Sequence, residues 1–314
     1  GPRFESWRAH QHFMSYLLII IFGSLAVWSG HAVIALLSGI LISSLITLPK
    51  DFFTKHIGSR LLQIGIVFLG GSISVPFVLE VSGDYLPWIS LFVLFAFLFT
   101  LFLGRSLGVG KKQSYLLASG SAICGGTAIA AISSVIKSKP EEMVNALTII
   151  FVLNALAVIV FPLVGSWLSL TQHQFGVWAA LAIHDTASVI GAASVIGDDA
   201  VQIAATLKLG RTLWIIPLIL FTAFYFREKK TLRGFPIFVL FFASAVALNW
   251  LINPSEEINN ILKQINMIFL LSGLFCIGTQ IDYSAIKEVP LKALILAVSI
   301  WGLVIPSSLW LAWA

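Results

Sequence analysis

Long apolar runs recur along this 314-residue chain and constrain its fold more than any other feature. They are joined by short polar loops and lie at about 13–29, 32–48, 60–79, 86–104, 114–136, 142–165, 175–196, 200–226, 234–252, 261–281 and 290–313. A helix needs about 20 apolar residues to cross a bilayer, whereas a strand of a membrane barrel needs only about ten. The chain is also only 11% charged, against about 25% in a soluble protein. The sequence therefore predicts an all-α polytopic membrane protein with about 11 transmembrane helices in a single domain, residues 1–314.

The distribution of positive charge predicts the orientation of these helices. The formal net charge is +5, but the basic residues are scattered along the chain, which argues against a nucleic-acid partner. With a cytoplasmic N-terminus, eleven crossings place fourteen Lys and Arg residues inside and three, Lys137, Lys139 and Lys263, outside. Because cytoplasmic loops are enriched in Lys and Arg, we expect a multi-pass protein of a bacterial inner membrane with an external C-terminus. A second apolar run closely follows the first, so we expect no cleavable signal peptide.

The fifth run carries two adjacent glycines at its centre. Cys124, Gly125, Gly126 and Thr127 lie in the middle of this run, and each glycine weakens a helix by about 1 kcal/mol relative to alanine. We predict that the helix is broken there and that a second half-helix begins near Thr127. The N-terminal end of a half-helix carries a partial positive charge, as in the anion sites of secondary transporters. Close helix packing is the alternative, because small residues also mark tight transmembrane contacts.

A short pattern occurs in two of the runs. Cys-x-Gly-Thr-x-Ile is found at 124–129 and again at 276–281, with a Ser-Gly pair before each copy. The second copy lies five runs after the first, so the two copies would cross the membrane in opposite directions. The pattern predicts broken helices in runs five and ten, the second break lying at Gly278, Thr279 and Gln280.

The same pattern predicts how the chain divides. We expect an inverted-topology repeat in which 32–165 is the first half and 175–313 the second, with 13–29 as an extra N-terminal span. A rival alignment sets runs five and six on runs seven and eight and pairs Glu141-Glu142 with Asp198-Asp199. The rival alignment needs several gaps, so the first is preferred.

Four ionisable residues lie inside runs seven and eight. Lys208 and Arg211 are three apart on one face of run eight, about 12 and 16 Å from its outer end at 1.5 Å per residue. A charge at such depth costs several kcal/mol unless it faces protein, water or a counter-ion, so we expect both cations to face a substrate. We interpret His184 and Asp185 in run seven as a protonatable couple beside that substrate. A structural ion pair between Asp185 and either cation is the alternative.

Three motifs occur in the order and spacing of a known family. They are Ser121-x-Ile-Cys-Gly125, His184-Asp-x-Ala-x-Val189, and Lys208-x-x-Arg211 with Pro217 beyond. Together they resemble the bacterial inner-membrane YeiH family, described as sulfate exporters, and the resemblance covers nearly the whole chain. It implies an anion transporter. The chain departs from the family pattern at Asp185 and Ser188, where members often carry Glu and Gln, which bears on the substrate more than on the fold.

These observations predict a secondary active transporter of a small anion, sulfate or an organosulfonate, in a lipid bilayer. The candidate substrate-binding residues are Ser121, Cys124, Gly125, Gly126, Thr127, His184, Asp185, Lys208, Arg211, Gly278, Thr279 and Gln280. Half-helix N-termini would bind the oxygens of the anion, and Lys208 and Arg211 would supply net charge. We expect no cofactor and no metal. The sequence does not determine whether the coupling ion is H⁺ or Na⁺, or whether the protein forms a homo-oligomer.

Two other functions would use some of the same residues. A sodium-coupled carrier of an organic carboxylate would use Asp185 and unwound carbonyls to bind the ion. An intramembrane enzyme would use His184 and Asp185, but the sequence sets no Ser or Cys nucleophile beside that histidine and has no metal-ligand spacing. A channel is disfavoured, because paired broken helices are typical of alternating access.

Overall fold

The computed structural model describes residues 16–46, 52–226, 237–280 and 287–313. The helices in these ranges are α1 (Tyr16–Trp28), α2 (Ala32–Leu45), α3 (Phe53–Gly70), α4 (Val75–Ser106), α5 (Lys111–Ala122), α6 (Gly126–Ile136), α7 (Pro140–Trp167), α8 (Gln172–Ala182), α9 (Thr186–Ala193), α10 (Asp198–Thr212), α11 (Ile215–Tyr225), α12 (Ile237–Ile252), α13 (Glu256–Gly278) and α14 (Leu291–Trp313). Five stretches of the described chain are long and apolar enough to cross a membrane: α4, α7, α10 with α11, α13 and α14. The predicted fold class, an all-α polytopic membrane protein, is confirmed.

Helices α3 and α4 both begin earlier than the apolar runs predict. The helix predicted at 60–79 starts at Phe53 and ends at Gly70, and the one predicted at 86–104 starts at Val75. Pro76 lies in the first turn of α4, where its missing N–H costs nothing and its fixed φ suits a helix start. Polar residues in the early turns concealed both starts from a count of apolar residues.

The fifth run is broken where the sequence predicts. Helix α5 ends at Ala122 and α6 begins at Gly126, with three residues between them. Gly125, the last of the three, has φ of +61°, a left-handed conformation that residues with a Cβ rarely adopt. The glycine that the sequence singles out therefore sets the geometry of the break.

Run ten is helical up to Gly278. Helix α13 is continuous from Glu256 to Gly278, and Thr279 and Gln280 form a turn after its end. Gly278 serves close packing on α2, because a Cβ on it would collide with the Leu36 carbonyl oxygen and lie 2.9 Å from Gly39 Cα. The helix therefore ends at the predicted position, but the second half-helix would begin among residues 281–286, which lie outside the described ranges, so the broken helix at Gly278–Gln280 stays a prediction. The packing explanation for small residues also applies at Gly278.

The second interrupted helix is run seven. Helix α8 ends at Ala182 and α9 begins at Thr186, with Asp185 as the N-terminal capping residue of α9. Asp is among the residues that favour this position, because its carboxylate accepts hydrogen bonds from first-turn amides. A helix can thus be interrupted without glycine when a good capping residue follows the break.

Both interrupted runs fold back as hairpins. The Lys112 Nζ at the start of α5 donates to the Lys137 carbonyl at the end of α6, at 2.7 Å. Laid end to end, helices of 12 and 11 residues would hold these ends roughly 35 Å apart. The Gln172 Oε1 at the start of α8 likewise accepts from the Asp199 amide at 3.0 Å, just beyond α9. We name α5–α6 hairpin one and α8–α9 hairpin two, and the prediction that these runs cross the membrane fully is wrong for both.

The tips of the two hairpins meet halfway along α7. This helix has 28 residues, about 42 Å, and it joins the base of hairpin one to the base of hairpin two. A Cβ on Gly125, at the tip of hairpin one, would lie 3.3 Å from Asp185 Cβ and 3.2 Å from the Ile150 side chain in the middle of α7. The hairpins therefore enter from opposite ends of α7 and touch at its centre.

This arrangement bears on the two sequence alignments. A hairpin returns to the side from which it came, so a hairpin followed by one crossing helix ends on the opposite side. A second copy of that unit would then begin inverted, directly after the first. The order of hairpin one and α7, then hairpin two and α10, favours the rival alignment of runs five and six on seven and eight. The repeat of 32–165 on 175–313 stays a prediction.

The helices divide into two groups by their packing. Helix α13 packs extensively on α3 and α2, and α12 packs on α3. The hairpins are enclosed instead by α4, α7, α10 and α14. Only limited contacts join the two groups, chiefly between α9 and α13, α2 and α9, and α2 and α7. The hairpin tips therefore lie beside the boundary between the groups.

Candidate functional site

The tip of hairpin one leaves main-chain donors open. Gly125 is the capping residue of α6 and has no side chain to accept from the first turn. The first intrahelical bond runs from the Ile129 amide to the Gly125 carbonyl, at 3.1 Å. The amides of Gly126 and Thr127 precede it and have no partner within the helix. These amides and the helix dipole give the tip a partial positive charge.

The tip of hairpin two is capped by its own side chain. Asp185 Oδ1 accepts from the Ser188 amide, and its Oδ2 accepts from the Ser188 hydroxyl, both at 2.8 Å. The His184 amide donates to Asn154 Oδ1 of α7 at 3.2 Å. The His184 ring is buried against Trp301, and its Nδ1 has no hydrogen-bond partner among the described residues.

Lys208 and Arg211 lie behind the tips and bind main-chain carbonyls. Arg211 donates to the last carbonyls of α5, those of Ser121 (2.5 Å) and Ala122 (2.7 Å), and to Ala180 (3.1 Å) and Leu181 (2.6 Å) in α8. Lys208 Nζ donates to the Ile183 carbonyl at 2.6 Å. These acceptors belong to the C-terminal ends of two half-helices, which carry partial negative charge. One guanidinium thus holds both hairpins together.

The two cations have no carboxylate partner within the described ranges. The ion pair found there is the surface pair of Lys263 and Asp198, at 3.1 Å. The pair of Asp185 with Lys208 or Arg211, which the sequence left open, is not formed. Both cations are completely buried, so the carbonyl dipoles are their direct compensation.

A cavity of about 540 Å³ ends at the hairpin tips. Its polar lining is Ser59, Gln63, Cys124, Thr127, Ser134, Asp185 and Thr186, and its apolar walls include Leu62, Ile66, Leu147, Phe151, Phe238 and Ile277. Thr127 and Ser134 lie on one face of α6, so the cavity extends from the tip along α6 toward the base of hairpin one. Asp185 is the charged residue in this lining. Lys208 and Arg211 do not reach it.

The structure brings together part of the predicted site. Cys124, Gly126, Thr127 and Asp185 line the cavity, and Gly125 forms the tip beside them. Ser121, His184, Lys208 and Arg211 are buried behind the tips. Gly278, Thr279 and Gln280 lie elsewhere: the Thr279 hydroxyl donates to Thr54 Oγ1 of α3 at 2.8 Å, and only their neighbour Ile277 touches the cavity.

Sequence reasoning missed the break in run seven, although a signal was present. Ala182-Ile183 precedes this break and Thr186-Ala187 follows it, just as Ala122-Ile123 and Thr127-Ala128 flank the first. The same comparison would have added Thr186 to the candidate site. Ser59 and Gln63 carry no such signal, because they reach the cavity only through the packing of α3.

Comparison with known proteins assigns the family. A family model described as "Conserved hypothetical protein 698" matches residues 14–297. The chain belongs to this family. A UPF0324 membrane protein of Bacteroides thetaiotaomicron is 36% identical over 298 residues, 94% of this chain and 90% of the relative. A UPF0324 membrane protein of Shewanella oneidensis is 37% identical over 267 residues, 85% of this chain and 84% of the relative.

These matches confirm the family that the motifs indicated, because UPF0324 corresponds to the YeiH family. A further UPF0324 membrane protein, from Geobacter sulfurreducens, is 37% identical over 281 residues, 88% of this chain and 89% of the relative. The names of the relatives describe membrane proteins and mention no substrate. No solved structure matches the chain. The chain is therefore a multi-pass membrane protein of the UPF0324 family.

Proposed function

We propose that this protein is a secondary transporter of a small organic anion, bound where the two hairpin tips meet. The observation that carries the proposal is the uncapped N-terminus of α6 at the end of the 540 Å³ cavity. Irregular backbone at membrane depth is tolerated where it is buried in protein or lines a cavity, and transporters use such half-helix ends to bind substrate.

The chemistry of the cavity supports an anion as the substrate. The amides of Gly126 and Thr127 lie at the N-terminus of α6, and free amides at a helix N-terminus are a general anion-binding arrangement. Thr127 and Thr186 add hydroxyl groups from the two hairpins. The buried Lys208 and Arg211 support the site from behind, because they compensate the negative C-terminal ends of α5 and α8. The positive N-terminal ends of α6 and α9 are then left at the hairpin tips.

The size and walls of the cavity favour an organosulfonate over sulfate. A volume of about 540 Å³ is much larger than a tetrahedral oxyanion and falls in the range of pockets that bind organic molecules. Leu62, Phe151 and Phe238 provide apolar walls beside the amide end. The walls suit a ligand that has one anionic group and an apolar remainder.

The position of Asp185 supports coupling to a cation. It is the acidic residue in the lining, and in its ionised form it would repel an anion in a site of low dielectric constant. A proton on Asp185 or a Na⁺ beside it would remove that repulsion. The sodium-coupled carboxylate carrier therefore remains the second candidate function. The identity of the coupling ion distinguishes it from a proton-coupled carrier of an organosulfonate.

The hairpins also sharpen the proposed orientation in the membrane. If hairpin one returns to the cytoplasmic side, Lys137 and Lys139 move inside, and sixteen basic residues face the cytoplasm against one, Lys263, outside. The cavity would then extend toward the cytoplasm. Single cysteines at Lys139 and Asp199 should be labelled from opposite sides, with Lys139 cytoplasmic, and labelling of both from one side would contradict this orientation.

Uptake into proteoliposomes tests the function. We expect a short-chain alkanesulfonate to be accumulated faster than sulfate or acetate, and only with an inward gradient of protons or of Na⁺. Liposomes containing the Gly126→Leu variant are the control for leakage. Equal flux of all anions without either gradient would contradict a coupled carrier and indicate a channel.

A further inference from the structure

A second cavity, of about 550 Å³, is separate from the proposed transport site. It lies between the C-terminal end of α4, the first turn of α5 and the end of α11. These ends belong to the same side of the molecule as the base of hairpin one, because α5 begins there. The cavity has a charged end and an apolar end, and each constrains the ligand.

The charged end carries two cations and no acid. Arg105 lies in the last turn of α4 and Lys111 is the first residue of α5, and both side chains are exposed. The Lys111 Nζ lies 5.0 Å from the ring centroid of Tyr225, above the cavity. Neither cation forms an ion pair with a carboxylate in the described ranges. The capping residue Gly110 supplies no side-chain acceptor, so the first-turn amides of α5 add to the positive potential.

The apolar end lies deeper along the same helices. Leu98 and Leu101 are seven and four residues before Arg105, on the same face of α4. At 1.5 Å per residue, Leu98 is about 10 Å deeper than Arg105. Leu98 is 62% exposed and Phe221 of α11 is 54% exposed, so this end opens sideways, toward the hydrocarbon of the bilayer.

We propose that this cavity binds an anionic phospholipid, with its phosphate between Arg105 and Lys111 and an acyl chain along Leu98 and Phe221. Basic pockets between transmembrane helices on the cytoplasmic side are a recurrent way to bind such headgroups. A free phosphate would use the cations alone and leave the apolar end without a role. Because Lys111 is the first residue of hairpin one, the bound lipid links the base of this hairpin to α4.

Native mass spectrometry of the purified protein with added lipid tests the proposal. We expect phosphatidylglycerol to be retained in preference to phosphatidylcholine. The double variant Arg105→Gln with Lys111→Gln should lose about thirtyfold in affinity, since each cation near a headgroup contributes about fivefold. Lys292→Gln is the matched control, because Lys292 lies on the same side near Gly108 but does not line the cavity.

A second comparison separates a lipid from a free anion. Leu98→Ser should weaken retention of phosphatidylglycerol and leave any effect of inorganic phosphate on thermal stability unchanged. Equal retention of phosphatidylglycerol by the wild type and the double variant would overturn the site. An equal loss in Lys292→Gln would reduce it to general surface charge. Stabilisation by inorganic phosphate as strong as that by the lipid would overturn the assignment to a phospholipid.

Discussion

Hairpin one turns at Ile123-Cys124-Gly125, whereas hairpin two turns at Ile183-His184-Asp185 and contains no glycine at its tip. In hairpin one the turn depends on the positive φ of Gly125, which has no side chain to cap α6, so the amides of Gly126 and Thr127 have no partner within the helix. In hairpin two Asp185 caps α9 through two hydrogen bonds to Ser188. The two tips touch, yet one offers open donors and the other a carboxylate.

The difference assigns separate tasks to the two hairpins. Open amides suit the oxygens of an anion, so hairpin one would provide most of the binding. A carboxylate beside the anion suits a proton or a sodium ion, so hairpin two would provide the coupling. Behind both tips the chemistry is shared, because Arg211 binds the C-terminal carbonyls of both α5 and α8.

Loss of Arg211 should have the largest effect, and it should act on folding. Arg211→Gln leaves buried carbonyls of both hairpins without donors, and each unsatisfied group costs about 1–3 kcal/mol. We expect the thermal midpoint of the purified protein to fall sharply, with loss of binding as a consequence. The sequence alone predicted instead that Arg211 faces the substrate and supplies net charge to it.

The control for this variant is Lys263→Gln, which removes a cation from the exposed pair with Asp198. Such pairs contribute about 1 kcal/mol at most. If Arg211→Gln has the same thermal midpoint as Lys263→Gln but no longer binds the anion, then Arg211 contacts the substrate and does not hold the two hairpins together.

Filling the tip of hairpin one should abolish transport without unfolding the protein. A Cβ on Gly126 would lie 3.3 Å from Phe151 and 3.5 Å from Leu147, at the cavity wall. Gly126→Leu therefore occupies the space in front of the open amides, and we expect uptake to fall at least tenfold. Gly302→Leu is the control, because nothing lies within 4 Å of a Cβ at that position. Normal uptake by Gly126→Leu would remove hairpin one from the site.

Removing the charge of hairpin two should have a smaller and more selective effect. Asn can still cap α9, so Asp185→Asn should fold normally. Without the negative charge, anion affinity should hold or rise, while uptake loses its response to a proton or sodium gradient. Binding by calorimetry and uptake by counterflow measure the two quantities separately. A drop in stability and uptake together, with no change in ion dependence, would make Asp185 a structural cap only.

The sequence predicts one hairpin tip well because its cause is local. Gly125 and Gly126 adjoin each other inside an apolar run, where they weaken the helix and allow the positive φ that the turn requires. At Gly278 the glycine has a different role, because Gly39 of α2 packs closely against it. Only the folded chain reveals this contact. At Asp185 the break depends on a capping residue of a type that also occurs in ordinary loops. The sequence indicates this break only through the Ala-Ile and Thr-Ala pairs that flank it, because the same pairs flank the break in hairpin one.

The return of each hairpin is harder to predict than its break. Run 114–136 is long enough to cross a bilayer, and no local feature says that it turns back. The contact that reveals the return joins Lys112 to Lys137, 25 residues apart. The role of Arg211 is equally non-local, because its acceptors lie about 30 and 90 residues away in the chain. A charged residue inside an apolar run indicates either a substrate contact or a structural role. Only the hydrogen-bond acceptors in the folded protein distinguish the two.

The most direct test of the account uses Cys124, which lines the cavity at the tip of hairpin one. In a Cys276→Ser background, an anionic sulfonatoethyl thiol reagent should modify Cys124 faster than a cationic trimethylammonium analogue of the same size. An unreactive alkanesulfonate should slow the anionic reagent, and Gly126→Leu should abolish its advantage over the cationic one. Equal rates for the two reagents, unchanged by the alkanesulfonate, would contradict an anion site at the hairpin tips.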